Sequence, residues 1–370
     1  MAILFNKDLD YTRLLMAYNN NVIEFYSDSP LFPLNAIIQI GINAPVKIFP
    51  QPNGTFFYNF KTLITSILNS DNFVDDILPD FTVAFDYDWR KTYNEDNITI
   101  TIELSDASTE TITVSPKWIA GYFQDFSQYD HHYIDNIRLL HNQINSVTYL
   151  KAWNGFPFDL PIYDPLNIDL DITNNGTLTT VPFAYEVGRL FLSDGTTDWN
   201  NIAQVTPFKI NIGMNNIDIN SLITLKLEVE DNCTDGTVYL KWLNTFGGWS
   251  YWLFNHADIN RNFKDLGEIN NDFYNREDTI SKSIQIGKTS IDKMNLTTDL
   301  ISKEYQCLLE SLLESESVFL YRGIPFSPYN PNQWLEVSVN NTSASIQKAK
   351  RNQNKFDITI ELPQRENRTR

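Results

Sequence analysis

Val238-Tyr239-Leu240-Lys241-Trp242-Leu243-Asn244-Thr245-Phe246-Gly247-Gly248-Trp249-Ser250-Tyr251-Trp252-Leu253-Phe254 is the stretch whose reading decides the fold. Two runs of strand length, dense in aromatic and aliphatic residues, flank a turn whose glycines permit positive φ, so the segment predicts a hairpin with aromatic cross-strand pairs. The same phrase stands upstream in Val147-Thr148-Tyr149-Leu150-Lys151-Ala152-Trp153-Asn154-Gly155-Phe156-Pro157-Phe158, which returns through Asp159-Leu160-Pro161-Ile162-Tyr163. Each copy holds Tyr-Leu-Lys, a Trp, an Asn and a Gly-bearing turn between aromatics. Two copies predict two hairpins of a duplicated module.

Outward from these, short alternating runs recur. Ile98, Ile100, Ile102 and Leu104 alternate with Thr99, Thr101 and Glu103 and return through Thr111 to Val114, while Ile168, Leu170 and Ile172 turn at Asn174-Asn175-Gly176 into Thr177 to Val181. Val22 to Tyr26, Ala36 to Ile40, Thr55 to Phe60, Phe208 to Ile212, Ile217 to Asn220 and Ile223 to Val229 read as further strands from their branched and aromatic content or their alternation. Helical spacing appears at Leu63, Ile64, Ile67 and Leu68, and in the leucine stripe Leu308, Leu309, Leu312 and Leu313 of a helix over 302–315. Three more strands surround the second helix: Ser317 to Arg322, Trp334 to Val339 and Phe356 to Leu362. The fold class that follows is mainly β, with tandem β-sandwich modules and a C-terminal antiparallel sheet carrying one packed helix. The chain divides as an N-terminal arm over 1–20, a β-rich domain over 21–145, a middle β-sandwich over 146–255 and a C-terminal β domain over 256–370. Residues 256 to about 280 are polar, and a strand is read after them over Ser281 to Ile286.

Composition limits the functions open to such a chain. At 370 residues with 42% hydrophobic and 14% aromatic side chains it can bury a large core without metals or disulfides, and its two cysteines, Cys233 and Cys307, are too few for a framework of either kind. The net charge of −18 repels nucleic-acid phosphates and anionic membranes, so surface binding of nucleic acid is not expected. The two cysteines fit assembly in a reducing cytosol; no apolar run reaches membrane-spanning length, and the charged start Lys7, Asp8, Asp10 and Arg13 is unlike a signal peptide, so neither a membrane span nor secretion by a classical signal is expected. The charge is uneven: residues 348–370 carry seven Lys and Arg against three acids, +4, which leaves −22 on the rest. That polarity suits head-to-tail assembly. The interface candidates are Trp249 and Tyr251 in the aromatic turn, and Lys348, Lys350, Arg351, Arg368 and Arg370 in the basic end.

Sites of chemistry are sparse. The sequence has no phosphate-cradling glycine loop, nucleophile elbow or HExxH. Asp130-His131-His132 with Asp135 and His141 offers metal-ligand types, but adjacent histidines diverge on a strand or a helix and do not readily chelate one ion. Asp169/Asp171 and Asp86/Asp88 alternate in the manner of a solvated strand face. No catalytic residue, metal or cofactor is expected, and the chain is not expected to be an enzyme.

The phrase at 239–254 resembles a segment of tail-region structural proteins of Bacteroidetes phages and prophages. The helix at 302–315, Val318-Phe319-Leu320, Trp334-Leu335-Glu336-Val337, the Lys- and Asn-rich loop at 348–355, Phe356 to Glu361 and the Asn-Arg-Thr-Arg ending are similar to the same family, as are Trp153 to Asp159 and Arg189 to Gly195. The resemblance covers about 146–370, and 22–70 more loosely. It implies a non-catalytic virion tail component, a ring-forming distal-tail or tail-hub adaptor whose partners are tube, tip or hub proteins and further copies of itself. The alternative is a carbohydrate- or receptor-binding protein of the tail tip or a cell surface, with the exposed aromatics stacking on glycans.

Overall fold

The computed structural model describes residues 2–75, 93–124, 130–183, 185–196, 198–199, 209–231, 236–270, 277, 280, 283–340 and 353–366. Within them the chain is mainly β, built as sandwich-like modules with two α-helices, Lys61–Leu68 and Lys303–Glu314. The alternating runs fold as their patterns dictate. Ile98–Leu104 buries every second residue, lies between Pro33–Ile40 and Thr109–Val114, and sets Thr99 and Thr101 opposite Thr113 and Thr111 on the other face.

The N-terminal segment is no separate arm. Ile3–Lys7 pairs antiparallel with Val22–Ser27, and the fully buried Leu14–Met16 pairs in parallel with Lys117–Ile119. Burying Leu14, Leu15 and Met16 together requires a strand covered on both faces, which a surface helix with one apolar stripe would not provide.

The two copies of the aromatic phrase fold differently. Val238–Leu243 and Trp249–Phe254 form the expected hairpin, with Leu243 opposite Trp249 and Val238 opposite Phe254. In the first copy Val147–Trp153 joins a six-stranded sheet, in parallel with Ile223–Glu230, while Pro157–Tyr163 joins a three-stranded sheet beside Val187–Asp194. The prolines account for the difference. Pro157 and Pro161 have no N–H to donate, so the return strand cannot ladder fully on both sides. Its second neighbour, Arg138–Leu139, contributes only two residues, and the Pro161 carbonyl there accepts from the Leu140 N–H.

The boundary expected at 255 also falls inside a sheet. The hairpin 238–254 is the edge of a seven-stranded sheet that continues through Val318–Tyr321, Trp334–Val339, Asp357–Glu361, Lys288–Thr297 and His256–Asp265. Leu240 stands opposite Leu320, so the middle and C-terminal segments share backbone hydrogen bonds. The polar stretch after 256 opens with a ten-residue strand, His256–Asp265. By contrast Lys209 to Ile212 is not a strand; Asn215 accepts from the Asn211 N–H and donates to its carbonyl, closing a turn just before Gly213–Ile219. The Lys303–Glu314 helix lies where the leucine stripe predicts it. Leu309 and Leu312 are fully buried, and the Trp242 indole N–H donates to Ser311 Oγ at 2.9 Å. One continuous core runs from Ile3 to Ile360.

Candidate functional site

The two aromatic phrases meet face to face. Trp153 packs edge-on against Trp252 at 5.1 Å between centroids, Phe156 lies 4.6 Å from Tyr239, and Phe158 lies 5.5 Å from Tyr251. The Asn of the second phrase closes its own turn, and that of the first ties its turn to another segment. Asn244 Oδ1 accepts from the N–H groups of Phe246 and Gly248, and Asn154 Oδ1 accepts from the Trp199 N–H. The glycines are steric requirements as well. Gly247 has φ +76°, and a Cβ there would stand 2.6 Å from Ile119 Cγ1; at Gly155, with φ +81°, it would stand 2.7 Å from the Phe326 ring.

Behind the hairpin lies a buried ionic quartet. Arg189 holds Asp159 with two parallel bonds, Nε to Oδ2 and Nη2 to Oδ1, both 2.9 Å, and reaches Asp75 Oδ1 through Nη1 at 2.8 Å. Lys241 Nζ donates to the other Asp75 oxygen at 2.7 Å, and the Tyr251 hydroxyl donates to Asp159. Two cations and two carboxylates sum to zero, the condition under which charges tolerate a dry interior. Burial disfavours the Asp75 charge, but Arg189 and Lys241 outweigh it and hold its carboxyl well below the usual range. Burial likewise pushes the Lys241 ammonium below its ordinary value, against the pull of Asp75. Burial and the neighbouring Asp159 drive the Tyr251 phenol far above its own.

The repeated lysines have matching surroundings. Lys241 Nζ lies 4.4, 4.9 and 5.4 Å from the rings of Trp334, Trp249 and Phe319. Lys151, its counterpart in the first phrase, lies 5.9 to 6.0 Å from Trp252, Tyr305 and Trp153, and pairs with Glu230. Cations over aromatic faces are stabilised by the ring quadrupole, the more so when desolvated. Lys151 forms part of the wall of a cleft of about 530 Å³ between the six-stranded sheet, the hairpin and the start of the Lys303–Glu314 helix, lined also by Tyr149, Lys226, Glu228 and Asp299. Within it the Tyr305 hydroxyl donates to Glu228 Oε2 at 2.9 Å, and the Trp153 indole N–H donates to Glu230 Oε2 at 3.2 Å.

The residues singled out from sequence are dispersed. Trp249 and Tyr251 are 2% and 4% exposed, so neither is an interface residue of the folded chain; Trp249 is a wall of the Lys241 cage and Tyr251 a member of the quartet. Lys348, Lys350, Arg351, Arg368 and Arg370 lie outside the described residues, as do Asp86 and Asp88. Asp169 and Asp171 are exposed, the latter accepting from Thr180 Oγ1 at 2.7 Å. The histidines separate: His131 Nε2 is 2.7 Å from the Val22 carbonyl, whereas His141 is buried beside Asn244 and Ser250, 3.3 Å from each. Burial, then Arg138, pushes the His141 imidazole down to about 3. Among the described residues no group of three or more His, Cys, Asp or Glu is placed to hold a metal, and no helix is long and apolar enough to cross a membrane. Sequence reading missed Asp75, Asp159 and Arg189. Their partners lie 30, 114 and 166 residues apart, so no local spacing marks them.

Comparison with known proteins gives no family. No family model matches the chain, and no curated protein matches it. Among solved structures it is similar to the fibronectin(III)-like modules of Clostridium thermocellum CbhA, at 8% identity and TM-score 0.20, over 62% of this chain and 94% of that one. It is also similar to titin A168-169, at 9% identity and TM-score 0.27, over 62% and 100%. A third likeness is to a 1.5-MDa bacterial ice-binding adhesin, at 11% identity and TM-score 0.19, over 81% and 93%. The architecture described here rests on the chain's own strand pairing.

Proposed function

We propose that this chain is a non-catalytic structural component of a phage tail, a ring-forming distal-tail or tail-hub adaptor. The observation that carries the reading is the fate of the aromatic phrase. The residues that resemble tail-region proteins, Tyr239 to Phe254, form the seam between two sheets, with Trp242, Trp249, Tyr251 and Trp252 all buried. A motif spent on a seam marks architecture, and the quartet and caged lysines behind it fix one arrangement of that seam. Rings form when one patch docks on a different patch of the next copy. Immunogold labelling of virions made by the host of this gene, with deletion of the gene, tests the reading. Label confined to the tail and defective tails on deletion are expected; intact infectious tails without the protein would overturn it.

The cleft lined by Tyr149, Trp153, Trp252 and Tyr305 is the place for the second reading, glycan or receptor binding. Sugar stacking needs an open ring face. Trp153 and Trp252 are buried, with Lys151 at their rings, which favours the structural reading. Glycan-array binding lost on Tyr149→Ala with folding retained would favour the second.

A further inference from the structure

The seven-stranded sheet ends on His256–Asp265, and among the described residues no strand pairs with its outer edge. On its inner side it matches Lys288–Thr297 position for position, from His256 opposite Thr297 to Asp265 opposite Lys288. The result is a ten-residue edge without a bulge, its side chains exposed apart from the half-buried Ala257. Such an edge is a row of N–H and C=O groups able to template another strand, and proteins that stay monomeric usually blunt it. One face of the strand carries Ile259 and Phe263, 63% and 67% exposed, on either side of Arg261. The other carries Asp258, Asn260, Asn262 and Lys264.

We propose that this edge binds the same edge of a second copy, antiparallel about a two-fold axis at Arg261. Residues directly opposite in an antiparallel pair share a face, so the axis fixes every contact. Asp258 meets Lys264 and Lys264 meets Asp258, Ile259 meets Phe263 and Phe263 meets Ile259, and Asn260 meets Asn262. Every off-axis pair across 258–264 is matched in charge or apolarity. An axis at Asn260 would instead set Ile259 against Arg261 and His256 against Lys264. An axis at Asn262 would set Phe263 against Arg261 and Ile259 against Asp265. The one like-charge contact, Arg261 on its own mate, is offset in part within each copy, since Asp292 accepts from Arg261 Nε at 2.6 Å and Nη2 at 3.1 Å while also accepting from Arg365 Nη1 at 3.0 Å. The contact is isologous and therefore stops at two. It is independent of any heterologous contact that closes a ring, and where rings form it joins them in pairs.

Sedimentation of the full chain at low ionic strength tests the register, comparing wild type with Asp258→Lys, Lys264→Asp and the double swap. Each single swap puts like charges opposite at two symmetry-related positions and weakens the two-fold step about ten-fold, and the double swap restores it. Both positions of the swap, 258 and 264, are exposed, and circular dichroism checks that folding is unchanged. Equal association of the four proteins, or a double swap no better than the singles, overturns the proposal; so does a wild type with no step of two in its mass. In a second measurement, Asn260→Cys and Asn262→Cys chains are mixed under mild oxidation. A mixed disulfide in excess over either chain alone is expected, and equal yields would overturn the register. The step of two is read whether or not rings form, so failure of the ring leaves this contact standing and failure of the contact leaves the ring.

Discussion

Arg189 is where the account is easiest to break. Its guanidinium satisfies Asp159 and Asp75 at once, so Arg189→Met leaves two buried carboxylates against one lysine. Removing one partner of a buried ion pair costs about 3–5 kcal/mol. Urea denaturation of Arg189→Met should show a loss of that order, and a loss below ~1 kcal/mol would mean that the quartet is open to solvent. His141 makes a pH-dependent contribution. Its pKa is pushed down to about 3 in the folded chain, whereas unfolded histidine titrates near 6.5. The stability it confers is full above the unfolded value and is lost as pH falls from about 6.5 toward 3, because only the unfolded chain takes up the proton. Between pH 7 and pH 4 the wild type should lose on the order of a few kcal/mol that His141→Leu does not lose. Parallel pH profiles for the two proteins would contradict this. Neither residue was legible in the sequence. Arg189 stands in an apolar run and His141 beside other polar residues, and only the fold shows what buries them.

At the level of elements, the hairpin turn and the helix carry separable tests. Gly247→Ala forces a side chain into positive φ and against Ile119, and should cost about 2–3 kcal/mol by thermal or urea unfolding, against about 1 kcal/mol for Gly176→Ala, where φ is also positive but the space is open. Leu309→Ala empties a fully buried site in the Lys303–Glu314 helix and should cost about 2–5 kcal/mol. Strands with one buried face were legible because alternation and burial share a period of two, as in Ile98–Leu104. The helix was legible for the matching reason at 3.6. The first aromatic phrase was misread as a hairpin because side chains advertise packing and not hydrogen-bond partners; the evidence lay in Pro157 and Pro161. His256–Asp265 was hidden for the opposite reason. It has hardly any buried face, so its strand conformation comes from its ladder with Lys288–Thr297 and from no pattern of its own.

For the whole molecule, the sheet that crosses residue 255 makes the middle and C-terminal segments one structural unit. A chain ending at 255 would expose the Val238–Leu243 edge where Val318–Tyr321 belongs, and should be insoluble, whereas two independent domains would tolerate the cut. The continuous core likewise predicts one cooperative unfolding transition by calorimetry and fluorescence. The mainly β class was legible from the frequency of short strands, but the division into units was not, since it depends on which strands pair over long separations. The central claim, a structural ring of the phage tail, is tested most directly by negative-stain electron microscopy of the purified full chain with mass photometry on the same sample. The account predicts closed rings of uniform diameter and a single subunit number, singly or in pairs. A monodisperse monomer at concentrations matching a tail assembly reaction would contradict it.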